Sequence, residues 1–213
     1  MVHVKICGNT NAEDVGRAIE YGADYLGFVF AQSKRQISLP NARKIMNEFP
    51  DFKNFVGIFA DQPQPEVEQV AIGLNLRWLQ FHGNETNDYC QHFRSKGYSV
   101  IKAFSIQSED SLKAFGQYDV DAFLLDSYSP NEKGGSGKTF DWSIAQKASP
   151  NHRPFFLAGG LNIHNVAIAI QTVQPYAVDV ASGIEKNPGV KDPKLLKQFI
   201  EIAKSTVTEK IKS

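Results

Sequence analysis

Eight short runs of apolar and β-branched residues punctuate the chain, each followed by a polar turn and then by a stretch with apolar residues at helical spacing. The runs are HVKIC (3–7), YLGFVF (25–30), FVGIFA (55–60), WLQFH (78–82), SVIKAF (99–104), AFLLD (122–126), PFFLA (154–158) and AVDVA (177–181). Their starts lie about 20 to 32 residues apart, the length of a strand, a helix and two short turns. Within NAEDVGRAIEYG, Val15, Ala18 and Ile19 share one helical face, and Pro40 and Pro65 stand where a first-turn proline belongs. A last helix is expected from about Pro193, after KDP. Strand and helix in alternation predict a parallel sheet. Eight such units with no extra strand or linker predict a closed (β/α)8 TIM barrel, a single α/β domain over residues 1–213, in preference to an open doubly wound sheet.

Composition narrows what such a barrel could do. The chain has 213 residues, with 23 Lys+Arg balanced by 23 Asp+Glu and no polarised run. That leaves no electrostatic footprint for nucleic acid or an anionic membrane, although a small phosphorylated ligand needs only a local site. Two cysteines, Cys7 and Cys90, make no disulfide framework, and a cytoplasmic location is expected. MVHVKICGNT is a poor signal peptide, because Lys5 interrupts its apolar run. No apolar run approaches the ~20 residues that span a bilayer.

The sixth unit departs from the pattern, with SYSPNEKGGSGKT (127–139) in place of a tight turn. Its GGSGKT resembles a nucleotide-binding loop, but Glu132 stands where that loop needs its first Gly. The segment also lies past the middle of the chain, so the P-loop reading is rejected.

In a barrel the active site is built at the carboxyl ends of the strands. Collected there are Cys7, Arg35, His82, Asp126, Gly159, Gly160, Asp179, Ser182 and Gly183. The Gly-rich turns of LAGGL and VASGIE, after strands seven and eight, fit a phosphate site of backbone amides at helix N-termini. Cys7 could be a small buried hydrophobe, as expected for Cys90, or a base or nucleophile. The second use requires cations or amide dipoles that lower its pKa, and Lys5, two residues earlier on the strand, points to the same face. Asp126 ends FLLD, where an acid behind apolar residues can keep a proton to donate; helix capping explains it poorly, because a long loop follows. Arg35 is either a fork for a carboxylate or phosphate or a surface cation beside Lys34. His82 either holds substrate or satisfies a turn.

Together KICGNT, GADYLGFVF, SKRQIS, LQFHG, LLDS, GGSGKTFDW, LAGGLN, VDVASGIE and PGVKD resemble, in order and over nearly the whole chain, the phosphoribosylanthranilate isomerases of tryptophan biosynthesis. Departures from the family pattern are Lys34 for a common Pro, Phe81 for Leu, and Ala158 and Ala181 for frequent Ser. The two alanines remove hydroxyls near the phosphate and leave it more dependent on backbone amides. The resemblance implies an Amadori rearrangement of N-(5-phosphoribosyl)anthranilate to 1-(2-carboxyphenylamino)-1-deoxyribulose 5-phosphate, without cofactor or metal. It implies Asp126 as general acid and Cys7 as general base, and Arg35 on the anthranilate carboxylate. Phosphate falls to the loops of Gly159, Gly160, Ser182 and Gly183, with His82 and Asp179 as further substrate contacts. A monomer or homodimer with no partner beyond its small-molecule substrate is expected. The histidine-pathway isomerase is the nearest alternative, followed by a noncatalytic phosphate-binding barrel; that isomerase carries an aspartate where Cys7 stands.

Overall fold

The computed structural model describes residues 1–127, 142–148 and 153–207. The Gly-rich segment 131–139 lies outside the described residues. Eight strands close into one parallel barrel: β1 (His3–Ile6), β2 (Tyr25–Val29), β3 (Phe55–Phe59), β4 (Trp78–Phe81), β5 (Ser99–Ile106), β6 (Ala122–Ser127), β7 (Phe155–Leu157) and β8 (Ala177–Val180). Each pairs with the next, and β8 returns to β1 with Lys5 opposite Asp179. Most strands stop one residue short of the apolar run that marks them, so that Cys7, His82 and Ala181 begin loops.

Helices α1 (Ala12–Glu20), α2 (Leu39–Glu48), α3 (Gln64–Gly73), α4 (Asn87–Ser95), α5 (Trp142–Ala148), α6 (Val166–Val173) and α7 (Pro193–Ser205) lie between and after the strands. Local chemistry starts them. Asn11, Ser38, Thr86 and Asp192 each accept a backbone N–H at their helix N-terminus, and Pro40, Pro65 and Pro193 occupy first turns. After β5 a 3-10 helix, Glu109–Gln117, replaces an α-helix, opened by a reciprocal Ser108–Ser111 cap.

The expectation of no extra strand is corrected by a small antiparallel hairpin after β8, β9 (Glu185–Asn187) with β10 (Val190–Lys191). Pro188 and Gly189 form its turn, and Gly189 takes a φ of 85° that suits glycine.

Two apolar cores follow from strand alternation. Val4, Ile6, Leu26, Phe28, Phe81 and Val178 belong to the large core shared with helix residues such as Val15 and Phe199. Tyr25, Val56, Ile101, Leu124, Phe156 and Ala177 form a smaller core inside the barrel. At the amino-terminal end the Tyr25 ring meets Trp78 and Phe156 edge-on at 5.5 and 5.3 Å, and its hydroxyl lies 3.1 Å from that of Tyr176. Aromatic packing therefore fills that end, and polar inward positions cluster toward the other. Cys90 on α4 is fully buried, as expected of a small hydrophobe.

Candidate active site

Strand phase brings the polar residues together. Since Val4 and Ile6 face the helices, Lys5 and Cys7 face the barrel axis; likewise Ala177 sets Asp179 inward, Leu124 sets Asp126 inward, and the outward Leu79 and Phe81 leave Gln80 and His82 inward. Cys7, His82, Asp126 and Asp179 thus share one ring at the carboxyl ends of β1, β4, β6 and β8.

Two glycines make room around Cys7. A Cβ on Gly27 of β2 would lie 3.1 Å from Cys7 Sγ, and one on Gly8 would lie 2.5 Å from Arg35 Cδ. Gly8 has a φ of 70°, so the chain turns directly after Cys7 and the Arg35 stem crosses beside it. Buried Asn9 donates to the carbonyls of Ile6 and Gly27 at 2.8 and 3.1 Å and pins this turn to β2.

Cations surround the thiol as the sequence suggests, but they do not prevail. Burial pushes the Cys7 thiol above its ordinary value despite the opposing pull of Lys5, with Asp179 reinforcing the rise and Lys191 and Arg35 acting against it. Lys5 thus stands beside the thiol as its place on β1 suggests, but burial outweighs it. Lys5 Nζ lies 3.0 Å from Asp179 Oδ2, and both side chains are buried. Burial alone would depress the lysine, but Asp179 and Cys7 outweigh it and its pKa rises. Asp179 Oδ1 is buried with no hydrogen-bond partner among the described residues.

Arg35 is not a loose surface cation. Its Nε donates to both carboxylate oxygens of Glu185 at 2.9 and 3.0 Å, and its Nη2 to Oε2 at 2.6 Å. Glu185 also receives Lys191 Nζ at 2.9 Å, and that ammonium donates to the Cys7 carbonyl at 2.5 Å. Burial alone would raise the Glu185 carboxyl, but Arg35 and Lys191 outweigh it and hold it below the usual range. Burial lowers the pKa of Lys191 in spite of Glu185.

His82 does more than complete a turn, for its Nε2 lies 3.3 Å from Asp126 Oδ2. Gln80 Nε2 sits 3.0 Å from His82 Nδ1, so the two inward side chains of β4 hold each other. The loop after β4 rests on a buried Lys102–Glu85 pair at 3.3 Å, with Lys102 also donating to the Gly83 carbonyl at 2.7 Å.

The loops after β7 and β8 form one surface. Gly159 and Gly160 have φ of 86° and 65°, and the Gly160 carbonyl accepts from Asn162 and Asn165 at 3.3 and 3.0 Å. A Cβ on Gly183 would lie 1.9 Å from the Leu161 carbonyl oxygen, so the two loops touch through backbone. The glycines sit in the loop ahead of α6, which begins at Val166, and Ser182 opens a single 3-10 turn, Ser182–Ile184.

Sequence reasoning passed over Glu185, Lys191 and Asp14. The last accepts the Lys191 amide at 2.8 Å and seats the hairpin on α1. An acid and a base flanking a Pro-Gly pair were the available signal, since a hairpin there sets Glu185 opposite Lys191.

Residues 4–202 match the family model of N-(5'phosphoribosyl)anthranilate (PRA) isomerase. A relative from Pelobacter propionicus, N-(5'-phosphoribosyl)anthranilate isomerase, is 43% identical over 210 residues, 98% of this chain and 99% of its own. The crystal structure of phosphoribosyl anthranilate isomerase from Thermotoga maritima is similar at 41% identity and a TM-score of 0.88, covering 96% of this chain and 99% of that one. Another structure of such an enzyme, in complex with reduced 1-(o-carboxyphenylamino)-1-deoxyribulose 5-phosphate, is 39% identical with a TM-score of 0.85, covering 96% of this chain and 99% of that one.

Proposed function

The chain belongs to the phosphoribosylanthranilate isomerase family, an isomerase of tryptophan biosynthesis, and from that premise we propose how its barrel mouth carries out the Amadori rearrangement. The substrate is N-(5-phosphoribosyl)anthranilate. Asp126 protonates the furanose ring oxygen, and the C1–O bond breaks to leave an iminium at C1. That positive charge acidifies the C2 proton, which Cys7 removes as a thiolate. The electron pair forms the C1–C2 double bond of an enolamine and neutralises the iminium; proton return to C1 and loss of the hydroxyl proton at C2 give the ketone.

The observation that carries this reading is the inward register of Cys7 and Asp126 on β1 and β6, strands separated around the barrel by β7 and β8 on one side and β2 to β5 on the other. An acid and a base so placed reach a sugar from two sides. His82, its Nε2 3.3 Å from Asp126 Oδ2, orients the acid. Arg35, its plane fixed by Glu185, takes the anthranilate carboxylate. Gly159, Gly160, Ser182 and Gly183 line the phosphate site, where positive φ and close backbone approach favour amides over side chains. Asp179 serves the site through Lys5. Two free cysteines and a phosphorylated substrate fit a cytoplasmic enzyme.

Loss of the substrate's anthranilate fluorescence tests the assignment. Cys7→Ser and Asp126→Asn should each lower kcat by about 10²–10⁴-fold, the usual contribution of a positioned acid or base. A Cys7→Ser enzyme that keeps more than about a tenth of wild-type kcat removes Cys7 from the mechanism.

A further inference from the structure

We propose that the β9–β10 hairpin is a positioning device for this site, with Lys191 holding Cys7 and Glu185 holding Arg35. The inference rests on the roles given above to Cys7 and Arg35 and adds two residues that act through them. The contacts form an unbroken chain from the Arg35 fork to the Glu185 carboxylate, at 2.6–3.0 Å, then to the Lys191 ammonium at 2.9 Å, and on to the Cys7 carbonyl at 2.5 Å.

Folding alone gives little reason to keep this arrangement. Taking a lysine and a glutamate out of water costs several kcal/mol per ion, and an apolar pair of the same volume often serves stability as well or better. Lys191 is 1% exposed, and its ammonium lands on the backbone carbonyl of the residue that serves as the base. The hairpin is also fixed at points that do not involve these two side chains. Thr10 Oγ1 donates to the Gly189 carbonyl at 2.5 Å, a Cβ on Gly189 would lie 2.9 Å from Thr10 Cγ2, and Asp14 takes the Lys191 amide. Glu185 Oε1 also accepts the Gly189 N–H at 3.2 Å, but with the Thr10 and Asp14 contacts in place the hairpin keeps anchors outside the ion pair, and the Lys191 and Glu185 charges are free to aim the site.

The groups facing Cys7 are Lys5 from β1, Asp179 from β8, Lys191 from β10 and Arg35 from the loop after β2. Asp179 neutralises Lys5, and Glu185 lies between Lys191 and Arg35. Removing the Lys191 charge thus takes away one of the three cations that favour the thiolate.

The test uses full-length Lys191→Met, Lys191→Gln and Glu185→Gln. Iodoacetamide alkylation of Cys7 is followed against pH, with the labelled peptide separating it from buried Cys90. Turnover is followed in parallel. Lys191→Met should lower kcat at least about tenfold and move the alkylation midpoint to higher pH by about half a unit or more, with little change in KM. Lys191→Gln keeps a donor without the charge; it should show the same midpoint shift with a smaller loss of kcat. Glu185→Gln should raise KM about tenfold with a smaller effect on kcat, because the carboxylate-binding arm loses its anchor. Should Lys191→Met not fold, the other two variants decide by the same readouts. Folded variants with lowered thermal stability but unchanged alkylation midpoints, kcat and KM would make the hairpin a structural element only and overturn the proposal. Alkylation does not depend on Cys7 being the base. If Cys7→Ser proved active, the catalytic assignment would fall while the midpoint shift still reported the clamp.

Discussion

Gly27→Ala places one methyl group against the thiol. The new Cβ would lie 3.1 Å from Cys7 Sγ, 3.3 Å from Cys7 Cα and 2.8 Å from Ile58 Cδ1. The isoleucine methyl ends a flexible side chain and can rotate away. The cysteine cannot retreat so easily, because Asn9 ties its loop to β2 and Lys191 holds its carbonyl. Restoring ordinary van der Waals separation therefore moves the sulfur by roughly half an ångström. Overpacking of this kind costs about 1–3 kcal/mol, of which about 0.5–1 is offset by replacing glycine with alanine in a strand. At about 2–4 °C per kcal/mol for a domain of this size, Tm should fall by a few degrees only. Catalysis is more exacting, since a misplacement of about 1 Å costs on the order of 10²-fold. Half of that predicts about a tenfold loss of kcat, with KM nearly unchanged because neither the Arg35 fork nor the glycine loops are touched. Fluorescence kinetics and a thermal melt on the same preparation measure both. A folded Gly27→Ala enzyme with wild-type kcat would show that the sulfur's position at the barrel mouth is not what the reaction depends on.

Two further substitutions address the phosphate loops and the acid limit of stability. Gly183→Ala puts a Cβ 1.9 Å from the Leu161 carbonyl and must separate the β7 and β8 loops; KM for substrate and the inhibition constant of inorganic phosphate should rise together by about tenfold or more, and unchanged values would place the phosphate elsewhere. Burial alone would raise the Asp24 carboxyl, but hydrogen bonds from Lys204, the Val4 amide and His3 outweigh it and hold its pKa below the ordinary aspartate value. Its contribution is therefore complete above the unfolded-state pKa and fades as pH falls through the lower folded value, so the Tm gap between wild type and Asp24→Asn should be constant above about pH 5 and close below about pH 4.

The ring of Cys7, His82, Asp126 and Asp179 was legible in the sequence because the first three end apolar runs and Asp179 interrupts one near its end, and in a barrel those ends meet. What could not be read was pairing. Arg35 is forked onto Glu185, a partner 150 positions away, in a hairpin whose strands have three and two residues and so show no alternation. Nor does spacing decide whether a nearby lysine or burial governs a thiol. Lys5 points to the same face as Cys7, yet its charge is shared with Asp179, and desolvation prevails. The outward residues fix the site as firmly as the polar ones do. Val178 and Val180 commit β8 to the phase that turns Asp179 toward Lys5, and Val4 and Ile6 do the same for Cys7. A one-residue slip in either strand would bury an acid or a thiol among the helices and turn a valine or an isoleucine to the barrel axis. The large apolar core thus carries part of the specificity of the chemistry, since it decides which face of each strand the reacting groups occupy.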